Sequence, residues 1–156
     1  MSRRPLQSAY NQATTRAEFC ALAAALYEKY TGAEITGRST FADTDDINVQ
    51  KMASVGVVSG TDAARNLFSP DADLTREQAA AMLARLADAI GEPLPKQTAA
   101  FADSADISTW ATEAVGQVQA AGIMGGVGND RFAPKDPYTR EQSIATIMRL
   151  WDIVKA

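Results

Sequence analysis

The 156-residue chain contains no histidine and a single cysteine. Without imidazole there is no Ser-His-Asp triad, no Cys-His nucleophile and no histidine metal ligand. One cysteine excludes an internal disulfide, a cysteine-rich zinc site and an iron–sulfur cluster. A basic excess is missing too: 15 lysines and arginines face 19 acidic residues, for a net charge of -4 and a pI near 4.8. A nucleic-acid surface needs a basic stripe to neutralise phosphates, so that partner is excluded. The longest apolar run, Phe19 to Tyr27, is far shorter than the roughly 18 residues of a membrane span, which excludes membrane insertion. The opening residues MSRRPLQSAYNQ carry two arginines with no apolar stretch behind them and do not read as a signal peptide. The chain is then either cytoplasmic or a piece of a longer exported one. No cofactor, metal or catalytic group is expected, and a binding role is the starting point.

What is present is a repeat. Phe41-Ala42-Asp43 recurs as Phe101-Ala102-Asp103, and Thr75-Arg76-Glu77-Gln78 recurs as Thr139-Arg140-Glu141-Gln142, with Thr15-Arg16-Ala17-Glu18 60 residues before the first. Aligning Phe68–Ala87 with Phe132–Trp151 matches nine of 20 positions, enough to make the repeat real. A glycine pair recurs as Gly56…Gly60 and Gly122…Gly126. The units divide as 1–36, which holds only a second half, then 37–96 and 97–156.

Each full unit reads as helix, glycine-bounded loop and second helix, so the fold class is all-α with short extended segments. In unit three, Ser108 or Thr109 is placed to cap a helix running to about Ala121, where Gly122 stops it. The second helix starts on a capping box: Thr15, Thr75 and Thr139 are each followed three residues later by Glu18, Gln78 and Gln142. Behind the caps run stripes at helical spacing, Cys20, Ala23, Leu26, Tyr30; Ala80, Leu83, Leu86, Ile90; and Ile144, Ile147, Leu150, Val154. Three equivalent stripes predict three long helices around a pseudo-threefold axis, sharing one core.

Arg16, Arg76 and Arg140 each take the first helical position, where the macrodipole disfavours a cation by a few tenths to about 1 kcal/mol. The same cost is accepted three times. A helix start plus a guanidinium makes an anion receptor, with free N–H groups and a planar fork matched to a carboxylate. Asp43 and Asp45 have calcium-ligand spacing, but no glycine takes the sixth loop position and no glutamate the twelfth, which excludes an EF-hand-type site. Asp43 and Asp103 read instead as helix caps or as holders of the incoming loop. Trp110 is open between a sugar-stacking platform and a core residue, with periodicity pointing to core. Trp151 and Cys20 read as core.

Taken together these motifs resemble the S-layer homology module, whose pattern runs Phe-x-Asp, Trp-Ala, Gly-Ile-Ile-x-Gly, Phe-x-Pro and Thr-Arg-Ala-Glu. Here it stands as Phe101-x-Asp103, Trp110-Ala111, Gly122-Ile-Met-x-Gly126, Phe132-x-Pro134 and Thr139-Arg-Glu-Gln142. The resemblance covers residues 13 to 155. It implies a noncovalent cell-wall anchor of three modules in a pseudo-trimer, whose intermodule grooves bind secondary cell-wall polysaccharide, often bearing pyruvylated sugar. It puts Arg16, Arg76 and Arg140 on the anionic group, and Asp43, Asp103, Trp110, Gly60 and Gly126 on the groove walls. It implies a cell-surface location, as the C-terminal part of a longer exported protein.

The departures are specific. Unit one lacks Phe-x-Asp, the Trp-Ala helix and the glycine pair. Unit two has 15 residues from Phe41 to Gly56 against 21 from Phe101 to Gly122, and no tryptophan. Only unit three matches in full, which predicts one or two closed grooves. The rival expectation is a degenerate repeat acting in protein–protein assembly, with self-association or completion of the first unit by another segment.

Overall fold

A computed structural model describes residues 12–155. The reading of residues 1–11, and with it the start of unit one, lies outside the described residues. Three long helices form the centre: α1 (Arg16–Thr31), α3 (Arg76–Ala89) and α5 (Arg140–Val154). Two short helices lie outside them, α2 (Ile47–Ser54) on α1 and α4 (Thr112–Ala120) on α3. Each short helix thus packs on the long helix of the unit before it, so the units interlock.

The long helices start as their sequences predict. Thr15, Thr75 and Thr139 accept from the backbone N–H of Glu18, Gln78 and Gln142, and those side chains accept from the cap N–H in return. Each threonine oxygen is worth about 1 kcal/mol. Gly32 ends α1 at φ 72° and Gly122 follows α4 at φ 75°, left-handed positions where a Cβ is disfavoured.

The residue before each cap closes the pseudo-threefold axis. Thr14 N–H donates to Tyr138 O (2.6 Å), Tyr138 N–H to Leu74 O (2.7 Å), and Leu74 N–H to Thr14 O (2.8 Å). The three arginine amides follow the same rotation, Arg16 to Ala72 O, Arg76 to Asp136 O and Arg140 to Gln12 O. Below this ring, Phe19, Leu83, Leu86 and Leu150 are fully buried, each worth about 1.5–3 kcal/mol over exposure.

Two local expectations are corrected, and two core readings stand. The first helix of unit three is not capped by Ser108 or Thr109 but is preceded by 3₁₀ turns over Ser104–Asp106 and Thr109–Ala111, and Ser108 makes no side-chain cap bond. The N–H and hydroxyl of Ser108 donate instead to Glu77 of α3, at 2.9 and 2.7 Å. The α5 stripe is rotated: Ser143, Thr146, Leu150 and Val154 are buried, whereas Ile144 is 40% exposed. Ser143 can turn inward because its hydroxyl meets Thr14 Oγ1 at 2.7 Å and donates to Thr139 O at 2.9 Å. Trp151 is half-buried at the edge of the core, with the Lys29 ammonium 4.8 Å from its ring centre. Cys20 is fully buried, and burial pushes its thiol up to about 12.

Candidate functional site

The arginines at the helix starts do not serve their own units. Arg16 stacks over Phe68 of unit two, its guanidinium carbon 4.4 Å from the ring centre. Its Nε donates to Phe68 O and its Nη2 to Ser59 O, both at 3.0 Å. Arg76 repeats this on unit three, over Phe132 at 4.9 Å, with Nε on Phe132 O (2.8 Å) and Nη2 on Gly125 O (2.7 Å). Both are buried, and desolvation pulls both guanidinium groups below their ordinary value. The side chains escape the unfavourable helix terminus by reaching carbonyls of the next unit, which explains why the same cost is accepted repeatedly.

The aspartates hold the same loops from behind. Asp43 accepts from Phe68 N–H (2.9 Å) and Ser69 N–H (2.8 Å), and Asp103 from Phe132 N–H (2.8 Å) and Ala133 N–H (2.9 Å). These bonds steady Ser69 and Ala133, which sit at φ 60° and 56°, a conformation costing a side-chain-bearing residue about 1–2 kcal/mol. The backbone N–H of Phe68 holds the Asp43 carboxyl below the usual range. For Asp103, burial pushes upward but the Phe132 and Ala133 amides outweigh it, so its carboxyl is also lowered. Of the two roles expected for these aspartates, loop holding is the one seen; the cap of α2 is Asp46, accepting from Val49 N–H.

The glycines permit a close crossing. A Cβ on Gly60 would lie 2.6 Å from Leu67 O, and one on Gly126 would lie 2.7 Å from Arg131 O. Both positions therefore require glycine for space, although neither has a positive φ.

These parts enclose two equivalent grooves. The first, about 470 Å³, is lined by Arg16, Ser59 and Gly60 on one side and by Gln78, Met82 and Arg85 of α3 on the other, with Trp110 at its mouth. Trp110 is 54% exposed, which corrects the core reading. The second, about 310 Å³, is lined by Arg76, Gly125 and Gly126, by Gln142, Thr146 and Arg149 of α5, and by Tyr138. No described lining residue there takes the place of Trp110.

Arg140 stands elsewhere. Its Nη2 is 2.7 Å from Glu18 Oε2, its Nη1 is 3.3 Å from Gln12 Oε1, and its amide donates to Gln12 O. The eight expected site residues thus fall into one group around unit two's loop (Arg16, Asp43, Gly60, Trp110), one around unit three's (Arg76, Asp103, Gly126), and Arg140 apart. Arg85 and Arg149 line the grooves but were not among the expected residues. Their signal was available, since this arginine is one of the nine matched positions and falls on a helix face away from the axial stripe. Among the described residues no group of histidine, cysteine, aspartate or glutamate could hold a metal ion, and no helix is long and apolar enough to cross a membrane.

The S-layer homology domain model matches residues 42–80 and 100–142, together more than half of the chain. Two curated relatives show the same kind of region inside much larger proteins. An endoglucanase of Bacillus sp. (strain KSM-635) is 34% identical over 108 residues, 67% of this chain and 11% of that protein. An amylopullulanase of Thermoanaerobacterium thermosulfurigenes is 28% identical over 148 residues, 90% of this chain and 8% of that protein. The chain therefore spans about a tenth of the length of either relative.

Proposed function

Because the chain belongs to the S-layer homology family of noncatalytic cell-surface anchoring modules, we propose that it binds an acidic secondary cell-wall polysaccharide through its two grooves. The observation that carries this reading is the repeated groove: a guanidinium on the loop side and a second arginine on the facing helix. A polymer of net negative charge meets local positive charge there, although the chain as a whole is acidic. Trp110 at the mouth of the first groove offers an exposed face on which a sugar ring stacks. Arg16 and Arg76, held by the loop carbonyls, offer the ligand anion the remaining edge of each guanidinium, Gly60 and Gly126 keep the loop walls close, and Asp43 and Asp103 support those walls from behind. Pyruvyl groups supply the carboxylate. Two weak sites on one polymer reinforce each other through effective concentration. The chain serves as the anchoring piece of a larger exported protein, as the proportions of its relatives suggest.

Co-sedimentation with purified wall polymer, before and after mild acid removal of its pyruvyl groups, tests the reading. Retention by the intact polymer and about tenfold or greater loss on depyruvylation are expected. Equal retention by both polymers, or by neither, overturns it.

A second reading is favoured by one observation. Ile144 and Met148, one turn apart on α5, are 40% and 61% exposed, an apolar patch suited to protein–protein assembly. Sedimentation equilibrium decides this: a monomer at all concentrations argues against self-association, and a dimer lost in Met148→Glu supports it.

A further inference from the structure

We propose that Arg85 and Arg149 are ligand-contacting cations of the two grooves, and that the chain binds two acidic sugars while its third arginine position binds none. The inference rests on the anchoring reading above and assigns its charge.

Arg16 and Arg76 have already spent Nε and Nη2 on backbone carbonyls and lie flat on phenylalanine rings, at 8% and 5% exposure. What is left to meet a carboxylate is one end of a buried fork. Arg85, by contrast, is exposed, lines the first groove, and makes no hydrogen bond or ion pair among the described residues. Arg149 takes the same place in the second groove, where its Nη1 donates to Ile123 O at 3.0 Å, so its fork is already aimed along the loop. Each groove therefore presents two guanidinium groups from opposite walls. A carboxylate between them takes charge-assisted bonds from both, which neither makes alone.

The third position reads differently at each matching residue. Where α3 and α5 carry Gln78 and Gln142, α1 carries Glu18, and where they carry Arg85 and Arg149, α1 carries Ala25. Glu18 then lies against Arg140 at 2.7 Å. Two grooves thus hold two cations and a neutral amide, whereas the third place holds one cation matched by an internal carboxylate. An incoming anion would have to displace Glu18 and, among the described residues, would find no second arginine at the place of Arg85 and Arg149.

The test is a calorimetric titration with a pyruvylated methyl glycoside, read alongside retention on wall polymer. The parent chain is expected to take up two glycosides, Arg85→Gln and Arg149→Gln one each, and the double variant none down to about tenfold weaker affinity. Arg85→Gln also weakens the salt dependence of binding and leaves the melting temperature unchanged, since that side chain holds no other group in place. Glu18→Gln keeps the capping interaction and leaves two sites. Three glycosides per parent chain, or unchanged binding by the double variant, overturns the inference and leaves the anchoring reading standing. No binding of polymer or glycoside by the parent chain overturns both.

Discussion

Helices α3 and α5 open with the same four residues, Thr-Arg-Glu-Gln, and with the same capping geometry, yet they live in different surroundings. Glu77 is 3% exposed and accepts from Ser108 and from the Lys135 ammonium (2.7 Å), whereas Glu141 is exposed. Ala80 and Ala84 are buried, whereas their counterparts Ile144 and Met148 are open to solvent. The cause lies outside both helices. Helix α4 and the turn before it cover α3, and among the described residues no helix takes that place on α5. Covered positions carry alanine, which lets α4 approach closely through Ala81, Ala84 and Ala114. In tandem repeats of this kind, burial is set by the next unit along the chain and not by the motif itself.

The sharpest way to break the comparison is to remove both glutamates in turn. Glu77→Ala strands the Ser108 hydroxyl and amide and should cost about 2 kcal/mol, allowing for the exposure of Lys135. Glu141→Ala should stay within about 0.5 kcal/mol, both read from urea midpoints. Equal costs would mean that α4 does not cover α3 in solution. A second contrast exchanges volume. Ala84→Met forces a long side chain under α4 and should cost about 1–2 kcal/mol, while Met148→Ala should cost under about 0.5.

Acid distinguishes the same regions by another route. The Asp103 and Asp43 carboxyls are lowered in the folded chain, so their stabilisation is complete above the unfolded value near 3.9 and is lost as pH falls through the folded value. Midpoints should hold above about pH 5 and decline below about pH 4, with the Phe132 and Ala133 amides losing exchange protection before those of α5. Persistent protection of those amides in acid would contradict the aspartate clamp. The smallest effect concerns Glu18→Gln, which removes a half-exposed ion pair and should cost under about 1 kcal/mol by the same urea measurement.

These contrasts show where the sequence is legible. The capping boxes, the glycine stops and the threefold arrangement of long helices are local or repeated signals, and all three stand in the structure. The α5 stripe misleads because Ile144 and Ser143 differ in exposure through contacts with Thr14, 129 residues away in sequence. Trp110 falls at helical spacing with Ala114, but it sits in a 3₁₀ turn before α4 begins, so its side chain leaves the helical face. The arginines are the deeper case. Position at a helix start predicted a charged group with a purpose, but the purpose visible in the fold is a bridge to the following unit, which no spacing within one unit encodes. The same rule displaces attention from unit three, the full sequence match, to Arg16 and Arg76, whose partners are the loops of units two and three.

The ring of amides joining Thr14, Leu74 and Tyr138 has a mechanical consequence. An open array of repeats peels from a free end, each unit lost with only its neighbour's contact. Here the first and last long helices of the described residues are clasped to each other, so neither is held by one neighbour alone. Tension drawn across the described span loads the contact between the first and last long helices directly, and the chain should fail in one cooperative step in a pulling experiment. For a cell-surface anchoring module, that distribution of load is a strength separate from that of any single contact.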